Sequence, residues 1–295
     1  MLTIGMPVYN DKNYLEKSLE SILNQTHKEF NIIISDDAST DGSDTICKKY
    51  INIDKRITYI RQPKNLGISK NMEFLLSKAS TKYFMWAGDD DLYDNLFIEK
   101  LLAALKKSED AISVFCNFST IDENDSIIEN HYNFNFSNEN KTKRVINYIK
   151  NANDIFGYGI FKTEAIKNVK FPVWWWPNNK SAYNNIFPTL CYYLSKGKYI
   201  HAGGKPLFFK RVKTEKRVNH VLPGRNNAIK ESVAYWIRRY NLIVFSFKQI
   251  YSAANFLFAL RIFPYLFYYW FLIPSINQFK LSLNAFLKNK LKLIK

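Results

Sequence analysis

The triple carboxylate Asp89-Asp90-Asp91 is the feature of the sequence that points most directly to chemistry. It follows an apolar run at 83–87 that is typical of a buried strand. Adjacent anions at a strand end repel one another, and a cation or polyvalent ligand relieves that repulsion. Mg²⁺ and Mn²⁺ favour carboxylate oxygens together with substrate phosphates. The triplet therefore predicts a metal-bound diphosphate; the alternative is a solvated acidic loop that caps a helix beginning near Leu96.

The elements that must position the triplet follow a strand-helix pattern. Apolar runs typical of buried strands lie at 2–8, 30–34, 57–60 and 83–87. Strands that alternate with helices predict a parallel doubly wound sheet, in which ligands bind outside the carboxyl ends of the strands. Polar clusters follow all four predicted strands, at 9–10, 36–41, 65–71 and 89–91. We therefore expect these clusters to share one rim.

The order and spacing of these segments resemble the N-terminal half of family 2 glycosyltransferases, which have the GT-A fold. The segments that carry the resemblance are 7–10, 21–26, 36–43, 65–67 and 88–91. It implies an α/β fold with a Rossmann-like, mostly parallel sheet and helices on both faces. We accordingly divide the chain into a nucleotide-sugar-binding half (1–100), an acceptor-binding half (101–220) and a C-terminal helical, membrane-associated extension (221–295).

The resemblance also implies roles for individual residues. The donor-binding residues would be Pro7, Tyr9, Asn10, Asp36, Asp37, Asn65, Lys70, Asp89, Asp90 and Lys213. Asp37 is the preferred candidate for the edge of the nucleoside base, and Asp89 would face the ribose. Asp90 and Asp91 compete for a Mg²⁺ or Mn²⁺ ion, which would stabilise the charge of the departing diphosphate.

Three of these assignments have a weaker basis. Asp36 is also typical of a turn or helix cap, and Lys70 of a solvated lysine at a helix start. Lys213 stands where relatives often carry the His of an Arg-x-His motif near the diphosphate, so its assignment rests on its positive charge.

The sequence departs from the resemblance at the general base. Where relatives carry the Asp that accepts the acceptor's proton, this chain has Asn184-Asn185. A positioned base typically contributes about 10²- to 10⁴-fold, and an amide does not accept a proton at neutral pH. One explanation is a different base, with Asp154 preferred over Glu164 and His201. The others are an acceptor that needs little assistance, or a non-catalytic subunit that binds the nucleotide sugar.

Two further stretches fall in the acceptor-binding half. Residues 122–143 are polar and Asn-rich, and they predict a long loop over the acceptor or surface disorder. Trp174, Trp175 and Trp176 cannot all face a core, so at least one should be exposed or cover a ligand. Stacking on an acceptor sugar and the rim of a membrane-facing surface both fit, with core packing for one or two of the three.

The net charge of +16 is unevenly distributed, because no Asp or Glu follows Glu231. Residues 256–274 are aromatic and apolar, but Arg261, Pro264 and Pro274 interrupt them. The stretch therefore contains no uninterrupted run of about 20 apolar residues. It predicts helices that lie in the membrane interface and are attracted to anionic lipid; a hairpin that dips into the bilayer and an oligomer interface are the alternatives.

The remaining expectations concern compartment and partners. No signal peptide precedes the first predicted strand, so we expect a peripheral protein on the cytoplasmic face of the cell membrane. Cys47, Cys116 and Cys191 predict free thiols. Nucleic acid is not an expected partner, because the basic residues accompany aromatic sequence and no nucleic-acid module is recognisable. A nucleotidyltransferase is the less favoured alternative, because it would need a Gly-rich basic signature near the first strand and residues 7–10 contain none. The expected activity is transfer, with inversion, from a nucleotide diphosphate sugar to a lipid-linked or cell-surface glycan.

Overall fold

Alternating strands and helices form the N-terminal part of the molecule, as the apolar pattern predicts. The computed structural model describes residues 1–132, 138–151, 153–173, 186–213 and 228–277, with the backbone alone at 228–234. The first elements are β1 (Leu2–Val8), α1 (Lys12–Leu23), β2 (Phe30–Asp36), α2 (Ser43–Ile53), β3 (Ile57–Arg61), α3 (Ile68–Ser77), β4 (Tyr83–Trp86), β5 (Leu92–Tyr93) and α4 (Phe97–Lys106).

The second part contains shorter strands and ends in long helices. Its elements are β6 (Ala111–Phe115), β7 (Phe118–Ile121), β8 (Ile127–His131), α5 (Lys141–Lys150), a 3₁₀ turn (Ile155–Tyr158), β9 (Ile160–Lys162), α6 (Thr163–Ile166), α7 (Ile186–Lys196), β10 (Lys198–His201), β11 (Phe208–Arg211), α8 (Ala228–Ala253), α9 (Phe256–Phe267) and a π-helical turn (Tyr268–Leu272).

The main sheet contains seven of the described strands, in the order β10-β6-β9-β4-β1-β2-β3. Neighbouring strands are parallel except for β9, which runs antiparallel to both β4 and β6. In β1, Leu2, Ile4 and Met6 on one face and Thr3 and Gly5 on the other are buried, as expected for a strand covered on both faces. The predicted mostly parallel α/β sheet is therefore confirmed.

The register of the sheet brings the polar clusters together. Val8 at the end of β1 pairs with Asp36 on β2, and Asp36 pairs with Arg61 on β3. On the other side of β1, Gly5 pairs with Trp86 at the end of β4. The loops that follow β1, β2, β3 and β4 consequently leave the sheet at the same edge, where a site can form.

The second sheet corrects the prediction for residues 122–143. Its order is β5-β11-β7-β8, and β8 pairs antiparallel with β7, so this stretch is not one long loop. The Asp122 carboxylate accepts hydrogen bonds from the Asn124 and Ser126 amides (2.8 and 2.9 Å), which fixes the hairpin turn. Most side chains of β8 are exposed, so the strand lacks the apolar alternation that would reveal it.

The C-terminal helices dock on the core. The indole of Trp270 donates to the Ile149 carbonyl (2.7 Å) and packs edge-on against Tyr148 (5.8 Å) and Phe187 (6.1 Å). These contacts anchor the helical extension to α5 and α7.

The aromatic and apolar C-terminal stretch forms a continuous helix in spite of Arg261, Pro264 and Pro274. This helix, Phe256–Asn277, has 22 residues and contains an 18-residue window with a mean hydropathy of 1.6, so by length and composition alone it could cross a membrane. It continues through Pro264, and a π-helical turn at Tyr268–Leu272 precedes Pro274. A proline removes one helical hydrogen bond, and π-helical structure occurs mostly as single turns inside longer α-helices.

Candidate functional site

A cleft of about 600 Å³ opens at the rim where the four polar loops meet. Its volume falls within the range of small-molecule sites. The predicted donor residues that line it are Pro7, Tyr9, Asp37, Asn65, Asp89 and Asp90. Asp91 and Asp154 also line the cleft, together with Lys210 and Arg211. The cleft therefore combines residues from 7–91 with residues from 154–211.

Three carboxylates meet at one end of the cleft. Asp11, Asp89 and Asp90 each offer an oxygen within 4.8 Å of the others. Burial raises the pKa of Asp89 well above its ordinary value, and the charges of Asp11 and Asp90 raise it further. The Tyr9 amide donates to Asp89 and partly offsets this cost (3.3 Å). Oxygen ligands crowded in this way suit Mg²⁺ or Mn²⁺, so the residues present fit the ion.

Asp11 is a site residue that the sequence analysis missed. It directly precedes α1 and is its N-cap residue, yet its side chain makes no capping hydrogen bond. An Asp at that position is ordinarily interpreted as a helix cap, which hides its place beside Asp89 and Asp90. The available signal was its position immediately after the polar cluster at 9–10.

Lys213 lies against this acidic cluster. Its ammonium contacts the Asp11 carboxylate and lies 2.8 Å from Asp90 Oδ2. Burial lowers the pKa of Lys213, but hydrogen bonds to Asp11 and Asp90 outweigh burial and hold it above its ordinary value. The ammonium also lies over the Tyr14 ring, 4.7 Å from its centroid. The predicted cation is therefore adjacent to the expected diphosphate position.

Asp91 occupies a different place from the other two members of the triplet. It is buried, and its Oδ1 accepts a hydrogen bond from the Arg211 amide (2.9 Å). Burial raises the pKa of Asp91 to about 7, with a further contribution from the Asp90 charge. The carboxylates grouped in the described structure are thus Asp11, Asp89 and Asp90, whereas Asp91 anchors β11.

Asp37 lies at the rim between the second and third loops. Its two oxygens accept hydrogen bonds from the Leu66 amide (2.7 Å) and the Gly67 amide (2.9 Å). Asn71, also on the cleft wall, donates its side-chain amide to the Ser35 carbonyl (2.9 Å). Asp37 therefore fixes the loop beside Asn65, and a carboxylate oxygen can accept a second hydrogen bond from a ligand.

Apart from Lys213, which contacts Asp11 and Asp90, three predicted donor residues are not among those that line the cleft. Asp36 is fully buried; its Oδ1 accepts from the Ser39 amide (2.8 Å), which fits the turn-residue alternative, and its Oδ2 accepts from Tyr59 and Arg61. Asn10 has a left-handed backbone (φ 52°) and accepts from the Thr40 amide.

The third of these residues, Lys70, is exposed and pairs with Glu73 at 2.9 Å. This geometry fits the alternative of a solvated lysine at a helix start.

Of the three bases considered from the sequence, one lines the cleft. Asp154 lines the cleft and forms an ion pair with Lys210 (3.0 Å), whose ammonium lies over the Tyr158 ring. Glu164 is exposed and pairs with Lys167, and His201 is not among the cleft residues.

The remaining acceptor-side predictions fall on parts of the chain without a description. Asn184 and Asn185, as well as Trp174, Trp175 and Trp176, lie outside the described residues. Their proposed roles stay predictions.

A family model matches this arrangement of strands and polar loops. The model described as glycosyl transferase family 2 covers residues 3–170, more than half of the chain. The chain belongs to glycosyl transferase family 2. The family resemblance inferred from the polar segments is therefore confirmed.

Bacterial glycosyltransferases are similar to part of the chain. Glycosyltransferase GlyA from Streptococcus pneumoniae is 35% identical over 130 residues, which are 44% of this chain and 18% of GlyA. The putative teichuronic acid biosynthesis glycosyltransferase TuaG from Bacillus subtilis is 31% identical over 113 residues, or 38% of this chain and 45% of TuaG. The alignments thus span less than half of each relative.

Solved structures show the same fold. TarS 1–349 from S. aureus superposes with a TM-score of 0.65 at 14% identity, covering 90% of this chain and 70% of that chain. A complex of the same TarS fragment with UDP-GlcNAc gives 0.61 at 15% identity, covering 89% and 70%. The Pyrobaculum calidifontis mannosyltransferase PcManGT, bound to GDP-Man and Mn²⁺, gives 0.52 at 14% identity, covering 99% and 79%. This family 2 member therefore has the GT-A fold.

Proposed function

We propose that this family 2 glycosyltransferase moves a sugar from a nucleotide diphosphate sugar to a lipid-linked or cell-surface glycan. The observation that carries the proposal is the cluster of Asp11, Asp89 and Asp90 at one end of a cleft whose other walls hold Asp37 and Asn65. The bound UDP-GlcNAc and GDP-Man of the structural neighbours support a nucleotide sugar as the donor.

The cluster would hold the diphosphate end of the donor. Asp11, Asp89 and Asp90 would hold Mg²⁺ or Mn²⁺, and the ion would supply Lewis-acid stabilisation of the diphosphate charge. Lys213 and Arg211 add positive charge at the same end, although Arg211 is already bonded to Asp125. Asp37 and Asn65 would contact the nucleoside.

Acceptor activation falls to Asp154 in this proposal. The acceptor hydroxyl oxygen forms a bond to the anomeric carbon as the bond to the diphosphate breaks, and its proton passes to the Asp154 carboxylate. The Lys210 ammonium lies 3.0 Å from the Asp154 carboxylate and positions it at the cleft. A single displacement of this kind inverts the anomeric centre.

The rival proposal is a non-catalytic subunit that binds the nucleotide sugar. One sequence observation favours it: Asn184-Asn185 stands where the family resemblance places the base. In this alternative the cleft still binds the nucleotide sugar, and Asp154 does not act as a base.

We also propose that the enzyme works at the cytoplasmic face of an anionic membrane. The helix Phe256–Asn277 exposes large apolar side chains, with Leu257 at 77% exposure. Lys141 and Lys150 on α5 lie over the Phe258 and Tyr269 rings (4.9 and 5.7 Å) and so border this apolar surface with positive charge. An aromatic surface edged by lysines suits lipid headgroups and would bring a lipid-linked acceptor to the cleft.

A transfer assay tests the proposed function. Purified protein is incubated with UDP-GlcNAc or GDP-Man, Mn²⁺ and a membrane extract that contains lipid-linked acceptors, and the product is followed by mass spectrometry. We expect a mass increase of one sugar residue that disappears with a chelator and in Asp90→Asn. The control Asp110→Asn, at an exposed turn far along the chain, should retain transfer. Donor and acceptor binding without transfer would support the non-catalytic subunit.

A further inference from the structure

Lys213 makes contacts that differ from those of an ordinary surface lysine. Its ammonium bridges Asp11 and Asp90, two of the three carboxylates that form the candidate metal cluster. The side chain is only 13% exposed. An ammonium in this position supplies part of the positive charge that the crowded carboxylates require.

The backbone before Lys213 is held firmly by the fold. The Arg211 amide donates to Asp91 (2.9 Å), and the Val212 amide donates to the Ile121 carbonyl (2.9 Å). Lys213 follows two residues after Arg211, the last residue of β11, so its backbone position is fixed. The flexible side chain then sets the position of the ammonium. A change of rotamer can move this charge without unfolding β11.

The same carboxylates have two possible cationic partners. A divalent ion at Asp11 and Asp90 and an ammonium in contact with both would repel each other strongly at such short separation. The ammonium must therefore withdraw when the ion binds. The oxygens of a diphosphate would offer it a new anionic partner close by.

We propose that Lys213 is an exchangeable counter-ion that couples metal binding to nucleotide binding. Without nucleotide, Lys213 competes with the metal for Asp11 and Asp90; with a diphosphate present, it transfers to the phosphate oxygens and releases the cluster to the metal. Because coupling between two ligands is reciprocal, the metal must also strengthen nucleotide binding. This inference rests on the proposed function, since it assumes that the cleft binds a metal and a nucleoside diphosphate.

The test measures Mn²⁺ binding by electron paramagnetic resonance of the free ion, with no turnover involved. Wild-type protein, Lys213→Met and Lys213→Arg are titrated alone and with saturating UDP or GDP. We expect the wild type to bind Mn²⁺ at least about tenfold more tightly with one of the nucleotides. Lys213→Met should bind Mn²⁺ more tightly than the wild type without nucleotide and lose most of that enhancement. Lys213→Arg, which keeps the charge, should remain coupled.

A matched variant separates direct competition from loss of charge. Lys210 lies on the same cleft but pairs with Asp154, so Lys210→Met removes one positive charge without touching Asp11 or Asp90. Its effect on nucleotide-free Mn²⁺ affinity should be clearly smaller than that of Lys213→Met. Equal effects of the two variants would overturn the inference. Lys213→Gln provides a second neutral variant, and thermal melting confirms that each protein is folded.

The outcomes distinguish this inference from the proposed function. If the wild type binds Mn²⁺ together with nucleotide but neutral Lys213 variants leave the nucleotide-free affinity unchanged, the counter-ion inference fails and the metal site survives. If no variant binds Mn²⁺ even with UDP or GDP, the metal-dependent donor site fails as well.

Discussion

The single residue Asp37 has two roles, one in the loop structure and one in the cleft. It holds the loop at Leu66 and Gly67 through two short hydrogen bonds and also faces the cleft. We predict that Asp37→Ala weakens binding of the best nucleotide by about 1.5 to 3 kcal/mol, the usual scale for hydrogen bonds to a charged group. Isothermal titration calorimetry measures this change, with the exposed Asp110→Ala as the control. Unchanged nucleotide affinity would remove Asp37 from the site.

Asp154 is the residue on which the catalytic proposal depends most. We expect Asp154→Asn to reduce turnover about 10²-fold or more while donor affinity is retained, because the amide cannot accept the acceptor's proton. The assay must use a glycan acceptor, since donor hydrolysis does not require that proton transfer. Glu164→Gln, at an exposed ion pair, is the control. Full activity of Asp154→Asn together with higher activity of Asn185→Asp would assign the base position to residue 185.

The docking of the C-terminal helix can be tested at the scale of the element. Trp270 is 5% exposed and packs against Tyr148, whereas Trp236 on α8 is 38% exposed. Trp270→Ala should lower the free energy of unfolding by about 3 to 5 kcal/mol, the usual cost of truncating a buried aromatic residue. Trp236→Ala should cost much less. Chemical denaturation measures both, and equal small losses would show that the helix does not stabilise the core.

The sequence predicted those elements whose residues carry a local signal. β1, β2, β3 and β4 are short apolar runs bounded by turn residues, so both the strands and their shared rim could be inferred. β8 could not be inferred, because its mostly exposed side chains lack an apolar alternation and its pairing with β7 is a tertiary contact. The antiparallel position of β9 between β4 and β6 likewise depends on the assembled sheet.

The candidate site was predictable to a similar extent. Asp89 and Asp90 stood out because they are adjacent in sequence and follow a buried strand. The grouping of Asp11 with them, and the contact of Lys213 with Asp11, join residues far apart in the chain and appear only in three dimensions. Asp91 is adjacent to Asp90 in sequence. Its carboxylate, however, accepts a hydrogen bond from the Arg211 amide of β11 and is not grouped with the cluster.

At the scale of the whole molecule, the apolar surface of Phe256–Asn277 predicts membrane attachment. Leu257 and Leu260 are exposed on it, so Leu257→Glu with Leu260→Glu should abolish co-sedimentation with phosphatidylglycerol vesicles. Lys141→Gln with Lys150→Gln should weaken it and reduce its salt sensitivity. Ile51→Glu, an exposed apolar position on α2, is the control. Full binding of the Leu257 and Leu260 variant would contradict the proposal.

The central claim concerns the whole cleft: Asp11, Asp89 and Asp90 hold the diphosphate of a nucleotide sugar through a divalent ion. The most direct test is calorimetric titration of UDP and GDP in Mn²⁺ and in a chelator, with wild-type protein and Asp90→Asn. Wild-type protein should bind one of the two nucleotides at least about tenfold more tightly in Mn²⁺, and Asp90→Asn should lose that difference while remaining folded. Equal affinity of the wild type in Mn²⁺ and in chelator would contradict the claim.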